Sequence, residues 1–265
     1  MTHTDLPELS ERERERYARH LVLPPLGDAG QRRLKAARVL IVGAGGLGSP
    51  ISLYLAAAGV GTIGIVDDDT VSFSNLQRQI LYGEATLGRP KARSAASRIV
   101  ELNSAISVET FAERFDRSNG HRIAADYDLI VDGCDNFETR YAINDVCLEV
   151  GIPYVYGAIF RLEGQLSVLC SNDGPCYRCL FPKPPPPETV VTGERAGILG
   201  VVPGTIGTLQ ATEAIKWIAN VGTPLVGRLL IYDAAGMRFE EVAVAADPRC
   251  PACGTLSSKR SKGSR

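Results

Sequence analysis

The 265-residue sequence is short of net charge, with 29 lysines and arginines against 30 aspartates and glutamates. That balance leaves no global field to draw the chain onto nucleic acid or an anionic membrane, so any anionic ligand must be met locally. Long apolar runs are also missing. The longest charge-free stretch, Val39 to Val66, holds seven glycines and one proline and breaks into shorter patterns, which argues against a membrane span. Met1 to Arg19 is crowded with Glu and Arg and lacks the apolar centre of a secretory signal, so a cytoplasmic location is expected. Histidine is scarce: His3, His20 and His121 stand apart and offer no basis for a histidine-led triad. Apolar residues at 45% and charged residues at 22% exclude a disordered or fibrous chain and leave a folded globular one.

What is present reads as alternating strands and helices. Residues 1–36 form a charged helical lead-in, with Ser10 and Glu13 in capping-box spacing. From Ala37 come the strand RVLIVG, a glycine turn, an apolar helix over Gly48–Ala58 and a second strand GTIGIVD. A helix from Pro90 to Asn103 follows, then the apolar strand YDLIVDGCD, a helix Phe137–Val150 capped by Asn136 and stopped by Gly151, and the strand IPYVYGAIF. This alternation predicts an α/β fold with a mostly parallel sheet whose strand ends make a nucleotide crevice. After Arg161 the texture changes to the strand QLSVLC, a proline-rich loop from Pro184 to Gly193 expected to be a mobile crossover, a helix Thr205–Asn220, and two closing strands RLLIYDA and MRFEEVAVA. No linker divides the chain, so one domain is expected over residues 1–256, with 257–265 a disordered tail.

Gly43-Ala-Gly45-Gly46-Leu-Gly48 sits between strand and helix, where glycines let the backbone approach a phosphate and helix N–H groups face the anion. Asp67 ends the next strand, 24 residues after Gly43, where its carboxylate can accept from ribose hydroxyls. No Lys-Ser or Lys-Thr follows the glycines, so phosphate charge has to be neutralised from elsewhere. Candidates are the amides and guanidinium of Ser74-Asn75-Leu76-Gln77-Arg78-Gln79 and the amine of Lys91. Asp132 and Asp135 end a buried strand, and one of them can hold magnesium or cap a helix. Of the seven cysteines, Cys176 with Cys179 and Cys250 with Cys253 make two Cys-x-x-Cys pairs able to close one tetrahedral zinc site. Cys134, Cys147 and Cys170 stand in strand or helix patterns as small buried hydrophobes.

Taken together, GAGGLG, IVDDDTVSFSNLQRQ, Gly88-Arg-Pro-Lys91, DGCDN, GAIFRLEGQ, PCYRCL and CPACG resemble, in order, the motifs of the ThiF/MoeB (HesA) family of sulfur-carrier adenylyltransferases, relatives of the ubiquitin-activating enzymes. The likeness runs from about Arg16 to Gly254. It implies a Rossmann-like ATP-binding sheet over 37–160, extended by antiparallel strands in a carrier-binding and zinc part over 161–256. It implies ATP-dependent adenylation of the terminal glycine of a ubiquitin-like sulfur carrier, with pyrophosphate released, in molybdopterin or thiamine type sulfur supply. Gly43, Gly45, Gly46, Asp67, Ser74, Asn75, Leu76, Gln77 and Asn136 match nucleotide-binding positions, while Arg78, Lys91 and Asp135 match those serving the phosphates and magnesium. Arg19 matches an arginine that acts on the neighbouring subunit's ATP, which implies a homodimer, and the four paired cysteines match a structural zinc site.

One departure bears on mechanism. Members that form a thioester or acyl disulfide carry a cysteine three residues before an Ala-Gly or Gly-Gly pair; here the pair is Ala196-Gly197 and the position falls on Gly193. Glycine cannot be a nucleophile, so the reaction is expected to stop at the adenylate, with sulfur coming from a separate donor. No appended rhodanese-like domain is expected, and a partner sulfurtransferase is the implied donor. Other readings are adenylation of a peptide or tRNA-linked carboxylate, a dinucleotide-dependent oxidoreductase, and a non-catalytic scaffold for ubiquitin-like partners. The absence of a basic stripe weighs against RNA, an oxidoreductase leaves Arg78, Lys91 and the cysteines unexplained, and a scaffold needs none of the cations.

Overall fold

The computed structural model describes residues 6–171, 174–190 and 193–254. The charged lead-in is three helices, α1 (Glu11–Arg16), α2 (Ala18–Leu21) and α3 (Gly27–Ala36), and the capping box forms as its spacing predicts, with Ser10 and Glu13 bonded reciprocally. Strand β1 (Arg38–Val42), α4 (Gly48–Ala58), β2 (Thr62–Val66), α5 (Lys91–Leu102), β3 (Ser107–Phe111), α6 (Gly120–Ala124), β4 (Leu129–Asp132), α7 (Phe137–Val150) and β5 (Tyr154–Phe160) follow in alternation. The second half holds β6 (Glu163–Leu169), α8 (Tyr177–Leu180), α9 (Gly193–Ala196), α10 (Val201–Ala219), β7 (Arg228–Asp233) and β8 (Arg238–Ala243).

All eight strands join one sheet in the order β3-β2-β1-β4-β5-β6-β7-β8. The first five are parallel and the last three antiparallel, as the alternation predicts for the first half and the resemblance for the second. The pleat of β1 feeds two cores: Val39 and Ile41 pack with Leu34, Ile51, Leu55 and Ile206 on one face, Leu40 and Val42 with Ile130, Ile143 and Tyr154 on the other. Burial on both faces explains the near-continuous apolar runs in the sequence. Each fully buried leucine or isoleucine contributes about 1.5–3 kcal/mol.

Three local expectations need correction. Helix α10 begins at Val201, four residues before the expected Thr205, because proline is tolerated in a helix's first turn and Pro203 sits there. Strand β3, which no sequence pattern announced, is half exposed at the sheet edge and exists through its parallel register with β2, Ser107 opposite Thr62. Pro90 caps α5 and does not begin it. The expected disordered tail 257–265 and His3 lie outside the described residues. Between β1 and β4 the chain turns to opposite sides of the sheet, and this reversal places their carboxyl ends side by side.

Candidate functional site

The glycine turn leaves β1 at that reversal. Gly43 has φ +93°, a left-handed value, and a Cβ there would lie 2.6 Å from the Gly133 carbonyl oxygen in the turn after β4. Only glycine lets the two turns meet this closely. Helix α4 then starts without a side-chain cap; in its first turn the Ser49 N–H is taken by the Gly45 carbonyl at 2.9 Å and Pro50 has no N–H, so the Gly48 N–H is the one left for an anion.

Asp67, at the end of β2, accepts the Ala44 N–H on one carboxylate oxygen at 2.8 Å and the Asp69 N–H on the other at 2.9 Å. Burial raises its pKa above the ordinary aspartate value, against the Ala44 N–H and the Lys91 charge, which lower it. The Lys91 side chain is only 6% exposed and its Nζ donates to the 73% exposed Asp69 carboxylate at 2.9 Å. Tyr82, buried and absent from the sequence reading, donates its hydroxyl to the Ala44 carbonyl at 2.8 Å. The Ala44 peptide is therefore held at both ends, which fixes the glycine turn against Asp67.

Residues 73–79 fold over this turn. Phe73–Asn75 makes one 3₁₀ turn, and the Asn75 carbonyl accepts from the N–H groups of Arg78 and Gln79 at 3.0 and 2.9 Å. Arg78 passes above Gly46, its Cγ 3.6 Å from where a Cβ would stand, and its guanidinium is anchored on the Ser74 carbonyl at 3.2 Å. The Ser74 hydroxyl lies 3.2 Å from that of Ser72. Leu76 packs its side chain on the core, and Gln77 abuts Gly200 at the start of α10. Arg78 over Gly46, and Asp67 bonded to Ala44 with the charge of Lys91 close by, thus bring residues widely spaced in sequence to the one glycine turn.

The β4 turn separates the two aspartates that sequence left equivalent. Asp132 is wholly buried and committed to Arg140 Nε at 3.1 Å and the Cys134 N–H at 3.0 Å. Arg140 also donates to the Cys134 carbonyl at 3.0 Å, so it stakes the turn from beneath. Removing Arg140 would leave an uncompensated buried charge, costing about 3–5 kcal/mol. Asp135 is exposed beside the glycine turn, and it is the carboxylate free for a cation. Asn136 accepts the Thr139 N–H at 2.9 Å as the cap of α7, leaving its amide nitrogen for a ligand. Arg19 is not brought to this site. It lies exposed on α2, and its neighbour Tyr17 packs at Gly59, the end of α4 opposite the glycine turn, about 16 Å away for an eleven-residue helix.

The four paired cysteines do converge. Cys176 Sγ is 3.8 Å from Cys179 and 3.6 Å from Cys250, Cys179 is 3.4 Å from Cys253, and all four sulfurs lie within 4.8 Å of one another. These separations are too long for disulfides and fit the edges of a tetrahedron with zinc–sulfur bonds of about 2.3 Å. Burial and the neighbouring thiols push the Cys176 thiol well up, while, against burial, hydrogen bonds from its neighbours lower that of Cys250. Cys134 and Cys147 are buried and Cys170 half-buried, and burial pushes each thiol well up, as inert side chains.

The antiparallel strands and the segment leading into α10 expose apolar side chains. Phe160 and Leu162 flank the β5–β6 turn, Leu199 and Val201 lead into α10, and Met237 and Phe239 open β8. The Leu199 N–H bonds the Arg161 carbonyl and the Ala234 N–H bonds that of Leu162, which draws these segments together. Among the described residues no helix is long and apolar enough to cross a membrane.

A doubly wound sheet with a glycine turn and a strand-end acid at the switch point defines the class, an α/β protein of nucleotide-binding type. The model of the ThiF family matches residues 17–252; the chain belongs to that family and is an adenylyltransferase. It is 52% identical over 240 residues to the SAMP-activating enzyme E1 of Haloferax volcanii, covering 91% of this chain and 88% of that one. It is 47% identical over 256 residues to the sulfur carrier protein adenylyltransferase of Thermus thermophilus, covering 95% and 94%. The crystal structure of E. coli MccB with ATP superposes with a TM-score of 0.80 over 93% of this chain and 77% of that one; at 24% identity this is a likeness of fold.

Proposed function

We propose that the chain uses ATP to adenylate the C-terminal glycine of a ubiquitin-like sulfur-carrier protein and releases pyrophosphate. The observation that carries this reading is the convergence of the glycine turn, Asp67, Arg78 and Lys91 on one switch point, with an exposed apolar surface on the antiparallel strands. Relatives named for sulfur carriers and SAMP activation supply the substrate class.

In this reading Asp67 accepts from the ribose hydroxyls, and the glycine turn with Asn75 and the residues around it lines the nucleotide. The carrier's carboxylate is ionised at neutral pH and needs no base. Its oxygen attacks the α-phosphorus, the bond to the bridging oxygen of the β-phosphate breaks, and the electron pair leaves with pyrophosphate. Arg78 and Lys91 stabilise the charge that develops on those oxygens. Asp135 would hold one magnesium ion, which shares the triphosphate charge when bound, and the Asn136 amide nitrogen would donate to the nucleotide. Arg19, too distant within its own chain, would serve the site of a second copy in a homodimer. Cys176, Cys179, Cys250 and Cys253 would hold zinc, whose four sulfur ligands leave no open position for catalysis. With glycine at position 193 the product is the acyl adenylate, passed to a separate sulfur donor for molybdopterin or thiamine type synthesis. Residues 1–256 then act as one cytoplasmic domain.

The test is ATP–pyrophosphate exchange with Mg²⁺, scanned over carriers ending in Gly-Gly and over the same carriers lacking those two residues. Exchange that depends on the terminal glycines is expected. ATP binding without exchange on any carrier would overturn the reading.

A further inference from the structure

Three glutamines of the described residues are at least nine-tenths buried: Gln31, Gln79 and Gln210. Gln31 donates to the Ala58 carbonyl at 2.8 Å and pairs with His20, and Gln210 donates to the Asp132 carbonyl at 2.7 Å. Gln79 differs. Its backbone is fixed, with N–H to the Asn75 carbonyl at 2.9 Å and its own carbonyl accepting from Tyr82 at 3.1 Å. Its side chain is 4% exposed; Oε1 has no partner, as is also true of Gln210 Oε1, but the amide nitrogen makes no hydrogen bond either, where those of Gln31 and Gln210 both donate. That nitrogen, Nε2, stands 3.6 Å from where a Cβ on Gly45 would be, so the unpaired amide lies over the glycine turn, one residue from Arg78 over Gly46.

An unpaired buried amide is less stable than an apolar side chain of the same shape. A bound anion would complete the donor end of this amide, its nitrogen, and the buried oxygen would stay as it is. The side of the amide facing Gly45 is a neutral donor, and the terminal torsion of glutamine is broad enough to aim it. The ligands of the adenylation reading bring anionic oxygens to a glycine turn. We propose that Gln79 is a further substrate-binding residue, whose amide N–H donates to an anionic oxygen held above Gly45 during adenylation. That oxygen belongs to a phosphate of the nucleotide or to the terminal carboxylate of the carrier. The proposal rests on the adenylation reading. Gln79 adds direction without charge, where Arg78 and Lys91 already supply charge.

The variants Gln79→Met and Gln79→Glu separate this role from a structural one. Without ligand, Gln79→Met melts at the same temperature as the parent or higher, since it loses an unpaired polar group. With Mg²⁺ and ATP, its exchange kcat/KM falls roughly 10- to 100-fold, the effect of losing a donor to a charged group. Gln79→Glu falls further, since it sets a negative charge against the anion. Calorimetry with ATP and Mg²⁺ alone reads the source of the oxygen: weaker ATP binding assigns it to the nucleotide, while unchanged ATP binding with a raised carrier KM or lowered kcat assigns it to the carrier. Full exchange by both variants would overturn the proposal, as would a lowered melting temperature with unchanged kinetics. Absence of exchange by the parent protein would sink the adenylation reading instead.

Discussion

The two halves of the sheet are built by different means. In the parallel half, β1 and β4 are buried on both faces and the site is made of backbone turns at their ends. In the antiparallel half, β8 is exposed along its whole length and four cysteines from segments 74 residues apart close the structure. The first half holds a rigid frame for phosphate chemistry. The second presents apolar side chains to solvent, which suits a protein partner. In the proposed reading the nucleotide and the partner are met by separate parts, which substitutions should uncouple.

The largest effect is expected in the parallel half. Arg78→Ala should lower carrier-dependent pyrophosphate exchange at least about 100-fold, the scale of one lost transition-state donor, and leave the melting temperature unchanged. Unchanged exchange would remove Arg78 from the site. In the antiparallel half, Cys250→Ser should lower bound zinc, read by elemental analysis, and destabilise the protein by about 2–5 kcal/mol, on the scale of losing a native cross-link. ATP affinity should change little; an equal loss of ATP binding would show that the halves are one cooperative unit. The smallest effect is expected at the surface. Phe239 is 51% exposed and stacks on Tyr232 at 4.7 Å, so Phe239→Ser should raise the carrier KM about tenfold with ATP affinity intact, at a cost in stability of about 1 kcal/mol. An unmoved carrier KM would place the partner elsewhere.

Much of the parallel half was legible because its signals are local. Gly43 needs a left-handed turn, Asp67 ends a β-branched strand, and Asn136 caps the helix it precedes. What escaped the sequence depends on contacts between distant segments. Tyr82 acts on Ala44 from 38 residues away and no spacing rule joins them. Asp132 and Asp135 look alike until Arg140, from the next helix, claims one of them. Strand β3 is specified by its neighbour more than by its own residues. The cysteine pairs were legible in spite of their distance because Cys-x-x-Cys is itself a local pattern.

The cysteine cluster also sets an order of events. Cys250 and Cys253 follow the last strand, so they leave the ribosome after all eight strands have been made. The parallel half, with its short βα connections, can form while synthesis continues. The segment of α8 waits with two of its four thiols until the chain beyond β8 returns to it, and for that interval its free thiols and the apolar strands are open to oxidation and aggregation. With zinc in the cluster as proposed, scarcity of the metal in a growing cell would be felt first as loss of newly made protein, before any loss of activity in protein already folded.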